Sequence, residues 1–138
     1  MVEQIRKILV PLDNSKNSLK CLATAIHIAK EHEASIIAIH VVHEPHGTKQ
    51  RIKLELDEKI PPSFILSAEK LARDNDIVFS SRLVRGDPGH VIVEFADTRG
   101  IDLIIIGARG LSTFKKIFLG SVSTYVLHKS KVPVMLIK

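Results

Sequence analysis

Four small residues carry the most specific chemistry in this chain. Gly107 and Gly110 stand three apart, and after nine intervening residues come Gly120 and Ser121. Glycine lets a backbone turn sharply and lets its N–H groups approach a ligand with no Cβ in the way. A helix opening with Gly-Ser offers unpaired N–H groups, a hydroxyl and the positive end of the helix dipole, a natural seat for phosphate. The first pair follows the aliphatic run Asp102-Leu103-Ile104-Ile105-Ile106, and Gly120-Ser121 leads into a helix-compatible segment from Val122 to Lys131. The layout points to a nucleotide held at the end of a buried strand. It is not a Walker A loop, because no Gly-Lys-Ser/Thr occurs, nor a dinucleotide fingerprint, because no Gly-x-Gly-x-x-Gly occurs.

Asp13 is the second candidate, closing the run Lys7-Ile8-Leu9-Val10-Pro11-Leu12. A carboxylate there accepts hydrogen bonds from ribose hydroxyls or helps to hold a cation. With Asn14 and Ser15 it equally makes a plain helix cap. Arg109, Lys115 and Lys116 lie in the glycine loop, where they either reach phosphate oxygens as charge-assisted donors or stay solvated. His40, His43 and His46 have metal-like spacing, but three-residue steps along a strand do not converge on one side. They read as a buried His40 with solvated neighbours. His90 and His128 fall on helices, without an acidic partner that would mark a general base. No Ser-His-Asp or Cys-His constellation stands out.

These residues need elements to position them. Lys7–Leu12 and Ser35–Val42 are nearly continuous apolar runs, the mark of strands covered on both faces of a parallel sheet. Between them Leu19, Leu22, Ala25, Ile26 and Ala29 recur at helical steps. His43–Lys59 breaks the rhythm and reads as a long mobile connection, with Ile52, Leu54 and Leu56 alternating as a short strand or lid. Pro61-Pro62 suits a helix start, with Ile65, Ala68, Leu71 and Ala72 as its apolar face. Ile77–Val84 is strand-like but carries Ser80, Ser81 and Arg82, which suits an edge. Asp87 then caps a helix with Pro88 at its first position, and Gly100 closes it. After strand Asp102–Ile106 and helix Ser121–Ser130 comes Val132–Ile137, also an edge because Pro133 cannot donate to a ladder. The alternation predicts an α/β fold with a parallel sheet and helices on both faces, as a single domain over residues 1–138. Ligands of such folds bind beyond the strand ends where strand order reverses, so Asp13 and Gly107 meet in one crevice if their strands are neighbours.

The glycine spacing, the opening Ile8-Leu9-Val10-Pro11-Leu12-Asp13-Asn14-Ser15, His40-Val41-Val42, Gly86-Asp87-Pro88 and Val132-Pro133-Val134-Met135 together resemble the universal stress protein family, in its ATP-binding form. That family's signature is Gly-x2-Gly-x9-Gly-Ser/Thr, met by Gly107, Gly110, Gly120 and Ser121. The resemblance covers essentially the whole chain. It implies the adenine nucleotide alpha hydrolase-like fold, an open five-stranded parallel sheet of order 3-2-1-4-5. It implies ATP as ligand, accompanied by Mg or Mn, with Asp13 as the one candidate metal contact. Adenine would lie near Pro11, Leu12 and the backbone of Val41, and ribose near Asp13 and Gly107. Phosphates would meet the N–H groups of Gly110, Gly120, Ser121 and Val122, with hydroxyls from Ser121 and Ser123. It also implies a homodimer through antiparallel pairing of Val132–Ile137, an apolar edge of the kind that pairs readily.

Composition bounds the function. At 138 residues, 45% apolar and 25% charged, the chain is ordinary for a globular protein. Cys21 is the only cysteine, so no internal disulfide forms; in an apolar helical pattern it reads as packing. No apolar run approaches the ~20 residues that span a membrane, and the N-terminus lacks a signal-peptide pattern, so a cytoplasmic protein is expected. Three functions remain in view. The first is an ATP-binding regulatory module with slow or absent hydrolysis, since no catalytic base is recognisable. The second is a weak ATPase or nucleotidyl-transfer enzyme using Asp13, Arg109 and Lys115. The third, a nucleic-acid-associated protein, draws only on the net charge of +5 and is weakened by 4% aromatic content.

Overall fold

A computed structural model describes residues 4–44, 61–109 and 119–138. Most of the expected 43–59 connection, His46, Gly110, Lys115 and Lys116 lie outside the described residues. The elements run β1 (Lys7–Pro11), α1 (Lys16–His32), β2 (Ser35–His43), α2 (Ser63–Asp74), β3 (Phe79–Gly86), α3 (Pro88–Thr98), β4 (Leu103–Gly107), α4 (Ser121–Lys129) and β5 (Val134–Ile137). All pairings are parallel, and the order is β3-β2-β1-β4-β5. Pro11 stands opposite Ile39, and Leu9 opposite Ile104. The chain therefore reverses direction across the sheet between β1 and β4.

The period-2 alternation of strand side chains splits the core in two. Ile8 and Val10 face α1 and α2 with Ile36, Ala38 and Ile105, against Cys21, Leu22, Ala25 and Ile65. Leu9 faces the other way with Ile39, Ile104 and Ile106, against Val91, Ile92, Phe95 and Val126 of α3 and α4. Each fully buried Ile or Leu contributes about 1.5–3 kcal/mol. Helices cover both faces, as the uninterrupted apolar strands predict.

Several boundaries and faces differ from expectation. Leu19 is 58% exposed and Leu71 is 41% exposed, while Ser18 and Cys21 are buried instead. At 100° per residue both leucines sit roughly a quarter turn from the middle of the stripe their neighbours bury. The last strand begins at Val134, not Val132. Pro133 contributes only its carbonyl, which accepts from the Ile104 N–H at 2.9 Å. β3 starts at Phe79, not Ile77, and remains an edge as its polar residues imply. The α3 entry follows the expected chemistry: the Asp87 side chain accepts from His90 N–H at 3.2 Å, Pro88 opens the helix, and Gly100 follows with φ +68°.

Burial pushes the Cys21 thiol up to about 12, and the neighbouring Asp13 carboxylate adds to the rise. A thiol that resists ionisation is inert toward disulfide reagents until the protein unfolds. The folded state then holds a proton that the unfolded chain releases near pH 9, so stability is full below that pH and falls as pH climbs toward 12. Cys21→Ala is expected to flatten that alkaline limb in melts taken across the window. An unchanged limb would exclude Cys21 as its source.

Candidate functional site

A cavity of about 240 Å³ lies at the carboxyl ends of β1 and β4, beside the end of β2. This is the point where strand order reverses, the usual ligand position in open parallel sheets. Pro11, Leu12 and Asp13 come from the end of β1, Val41 from β2, Gly107 and Arg109 from the end of β4, and Gly120, Ser121, Val122 and Ser123 from the start of α4. Ten of the eleven residues singled out in the sequence thus share one cavity; the eleventh, Gly110, lies outside the described residues. The inner wall is apolar, with Ile39, Val41, Ile92, Ile106 and Val122. Asp13, Arg109 and Ser121 make the rest polar. That division suits a flat base on one side and a charged, hydroxylated portion on the other.

The turn after β1 is fixed by a closed set of hydrogen bonds. Asp13 Oδ1 accepts from Ser15 N–H at 3.1 Å and from the Ser18 hydroxyl at 2.7 Å. Asp13 N–H donates to Ser18 Oγ at 2.9 Å, and Ser15 Oγ accepts Ser18 N–H at 3.1 Å as the helix cap. Asn14, at φ +65°, makes the turn possible. Asp13 therefore does cap the turn, but with one oxygen only. Oδ2 takes no hydrogen bond among the described residues.

At α4 two of the expected donors are bonded within the chain. The Gly120 N–H donates to Ala108 O at 2.7 Å, and the Ser123 hydroxyl reaches Ala108 O and Gly120 O, each at 3.0 Å. Neither proton is free for a phosphate. Both instead pin the helix start to the end of β4. The available donors are the N–H groups of Ser121, Val122 and Ser123, because the first intrahelical bond runs from Thr124 N–H to Gly120 O. They carry the positive end of the α4 dipole. Ser121 and Arg109 are exposed, and their side chains have no partner among the described residues.

Gly120 has φ −71°, which any residue adopts, and an added Cβ would come no closer than 3.5 Å to Ala108 O. Nothing among the described residues requires glycine there. Gly107 is the opposite case. A Cβ would meet Asn17 Nδ2 at 2.6 Å, so here glycine is what admits the Asn17 amide.

The sequence reading missed Ser18, Ile39, His40, Pro88, Ile92 and Ile106 as lining residues. His40, expected in the core, is half-buried at the cavity, its ring edge-on to Phe64 at 5.0 Å. Its Nδ1 lies 2.8 Å from Leu12 O. A carbonyl only accepts, so Nδ1 carries the proton and the neutral ring keeps its lone pair on Nε2. Pro88 and Ile92 reach the cavity because α3 crosses back over the sheet from its edge. Ile39 lines the cavity because it stands opposite Pro11 in the parallel β1–β2 pair. His90 is a further correction: its Nε2 stands 3.4 Å from Glu94 Oε2, four residues on, at the exposed surface of α3. Among the described residues no group of three or more His, Cys, Asp and Glu could hold a metal ion. A cation reaching Asp13 Oδ2 would take its other ligands from phosphates and water, as Mg²⁺ commonly does.

A family model, the universal stress protein family, matches residues 4–138. The chain is similar to the universal stress protein YxiE of Bacillus subtilis, at 31% identity over 96% of this chain and 98% of that protein. Among solved structures it is similar to MJ0577 of Methanocaldococcus jannaschii, with TM-score 0.81 and 25% identity over 98% of this chain and 96% of that one. It is also similar to a universal stress protein solved in complex with cAMP, with TM-score 0.73 and 26% identity over 99% of this chain and 98% of that one. The fold is the adenine nucleotide alpha hydrolase-like α/β fold.

Proposed function

We propose that this chain, which belongs to the universal stress protein family, is an ATP-binding regulatory module that hydrolyses its nucleotide slowly or not at all. The carrying observation is the meeting of the β1 turn and the glycine-rich start of α4 in one cavity. First-turn N–H groups left unbonded by the helix and an Arg109 side chain with no partner among the described residues supply an anion seat; the apolar wall supplies a base pocket. The cAMP of a structural neighbour supports an adenine nucleotide as the ligand class. The residues fit ATP accompanied by Mg or Mn: the phosphates at Ser121 and Val122, the ribose or the cation at Asp13 Oδ2, and adenine against Pro11, Leu12 and Val41. Slow or absent turnover is read from Asp13, the one carboxylate lining the cavity among the described residues, which is already engaged in the β1 turn through Oδ1. Occupancy would then act by shifting the population of surfaces that other molecules meet. Calorimetry with ATP, ADP and AMP, with and without Mg²⁺, tests the reading. Saturable binding at one site per chain is expected, and its absence would make the glycine loop a purely structural feature.

Self-association through β5 belongs to the same proposal. Pro133 O and Ile137 O face β4, so the N–H and C=O groups of Val134 and Leu136 point outward from the sheet edge. Met135 beside them is 37% exposed. An apolar free edge of this kind pairs with a second copy, here antiparallel across a twofold axis. Sedimentation at micromolar concentration is expected to give a dimer. Met135→Lys places like charges across the pairing and is expected to give a monomer at the same concentration.

A further inference from the structure

We infer that Asn17 is a positioning residue for the phosphate end of the site, tying the ends of β4 and β5 to the first turn of α1. Its side-chain amide donates to Arg109 O at 3.1 Å and to Ile137 O at 3.1 Å. Both partners are carbonyl oxygens, which only accept, so the NH₂ group must face them and the amide's orientation is fixed. The same nitrogen lies only 2.6 Å from where a Cβ of Gly107 would be, so a bare backbone at 107 is what lets the amide in.

The bonds join parts of the chain that nothing local would join. Ile137 O also accepts the Ala108 N–H at 2.7 Å, and Ala108 O accepts both the Gly120 N–H and the Ser123 hydroxyl. Asn17 thus closes a continuous path from the first turn of α1, through the ends of β5 and β4, to the start of α4. Ser15, two residues before it, is held by Asp13 Oδ1. One helical turn therefore sets both halves of the cavity, the Asp13 side and the Arg109 side.

The inference rests on the nucleotide reading above, and the experiment separates the two. Calorimetry compares ATP with adenosine on the wild type and on Asn17→Leu, which fills the same volume without a donor. Two neutral hydrogen bonds lost at the ends of β4 and β5 are expected to weaken ATP about tenfold while adenosine changes less than about twofold. A residue that only supported the fold would weaken both ligands alike. Equal weakening, or unchanged ATP affinity, overturns the inference. A wild type that binds neither ligand overturns the nucleotide reading and this inference with it. Thermal melts accompany each variant, and Asn17→Ala carries the same comparison if the leucine variant does not fold.

Discussion

Gly120→Val is expected to abolish ATP binding in a protein that still folds. The backbone at 120 has φ −71°, and a Cβ would meet only Ala108 O at 3.5 Å and Ser123 Oγ at 3.7 Å among the described residues, both ordinary contacts. Exchanging glycine for valine at a helix N-cap costs about 1 kcal/mol, within what a folded domain tolerates. The branched methyls, in contrast, intrude on the cavity beside the N–H groups of Ser121 and Val122. Hydrogen bonds from such groups to a charged phosphate are worth about 1.5–3 kcal/mol each, so losing two weakens binding by about a hundredfold or more. Gly120→Ala should fall between the two. Gly107→Ala provides the contrast, because its Cβ would strike Asn17 Nδ2 at 2.6 Å and the damage would appear first as a lowered melting temperature. Calorimetry paired with thermal melts reads both variants. Wild-type affinity in Gly120→Val would remove the phosphate from this helix start.

That contrast also marks what residue types reveal by themselves. Glycines at 107 and 120 look alike in a sequence, yet one admits an amide from α1 and the other leaves space in a cavity. Burial of β1 and β4 was legible because their aliphatic runs leave no polar face. The edges were legible because Ser80, Ser81 and Arg82, and likewise Pro133, make poor central strands. Which buried strands are neighbours was not, since apolar character reports depth and not partners; the order 3-2-1-4-5 came from resemblance and is the order observed. Helical period was readable but its phase was less so, as Leu19 and Leu71 show. In the site, residues next to strand ends were accessible to reasoning from position. Pro88 and Ile92 arrive on a helix that crosses over from the sheet edge, which only the tertiary arrangement specifies. His40 failed for a related reason: strand parity gives the face of the sheet, not the height along it at which a side chain meets the cavity.

Asp13 is where binding and turnover part, and its two oxygens allow them to be tested separately. In Asp13→Asn the amide oxygen can keep accepting from Ser15 N–H and the Ser18 hydroxyl, so the turn survives while the charge is lost. Asp13→Ala also orphans those two donors, at about 1–3 kcal/mol of stability. ATP affinity is expected to fall about tenfold or more in Asp13→Asn with little change in melting temperature. The pattern of the loss names the role. If Oδ2 accepts from ribose hydroxyls, adenosine weakens in parallel with ATP. If Oδ2 helps to hold a cation, adenosine is spared and the loss depends on Mg²⁺. Unchanged affinity for both ligands would return Asp13 to a plain helix cap. Phosphate or pyrophosphate release over many turnovers, lost in Asp13→Ala with ATP binding intact, would place the protein among enzymes instead. Among the described residues Asp13 is the one carboxylate lining the cavity, and His40, with its Nδ1–H bonded to Leu12 O, keeps the lone pair on Nε2. A base for attack by water is therefore to be sought at Asp13 and at His40 Nε2, and a site that asks Asp13 to position its nucleotide leaves that carboxylate poorly free to activate water as well.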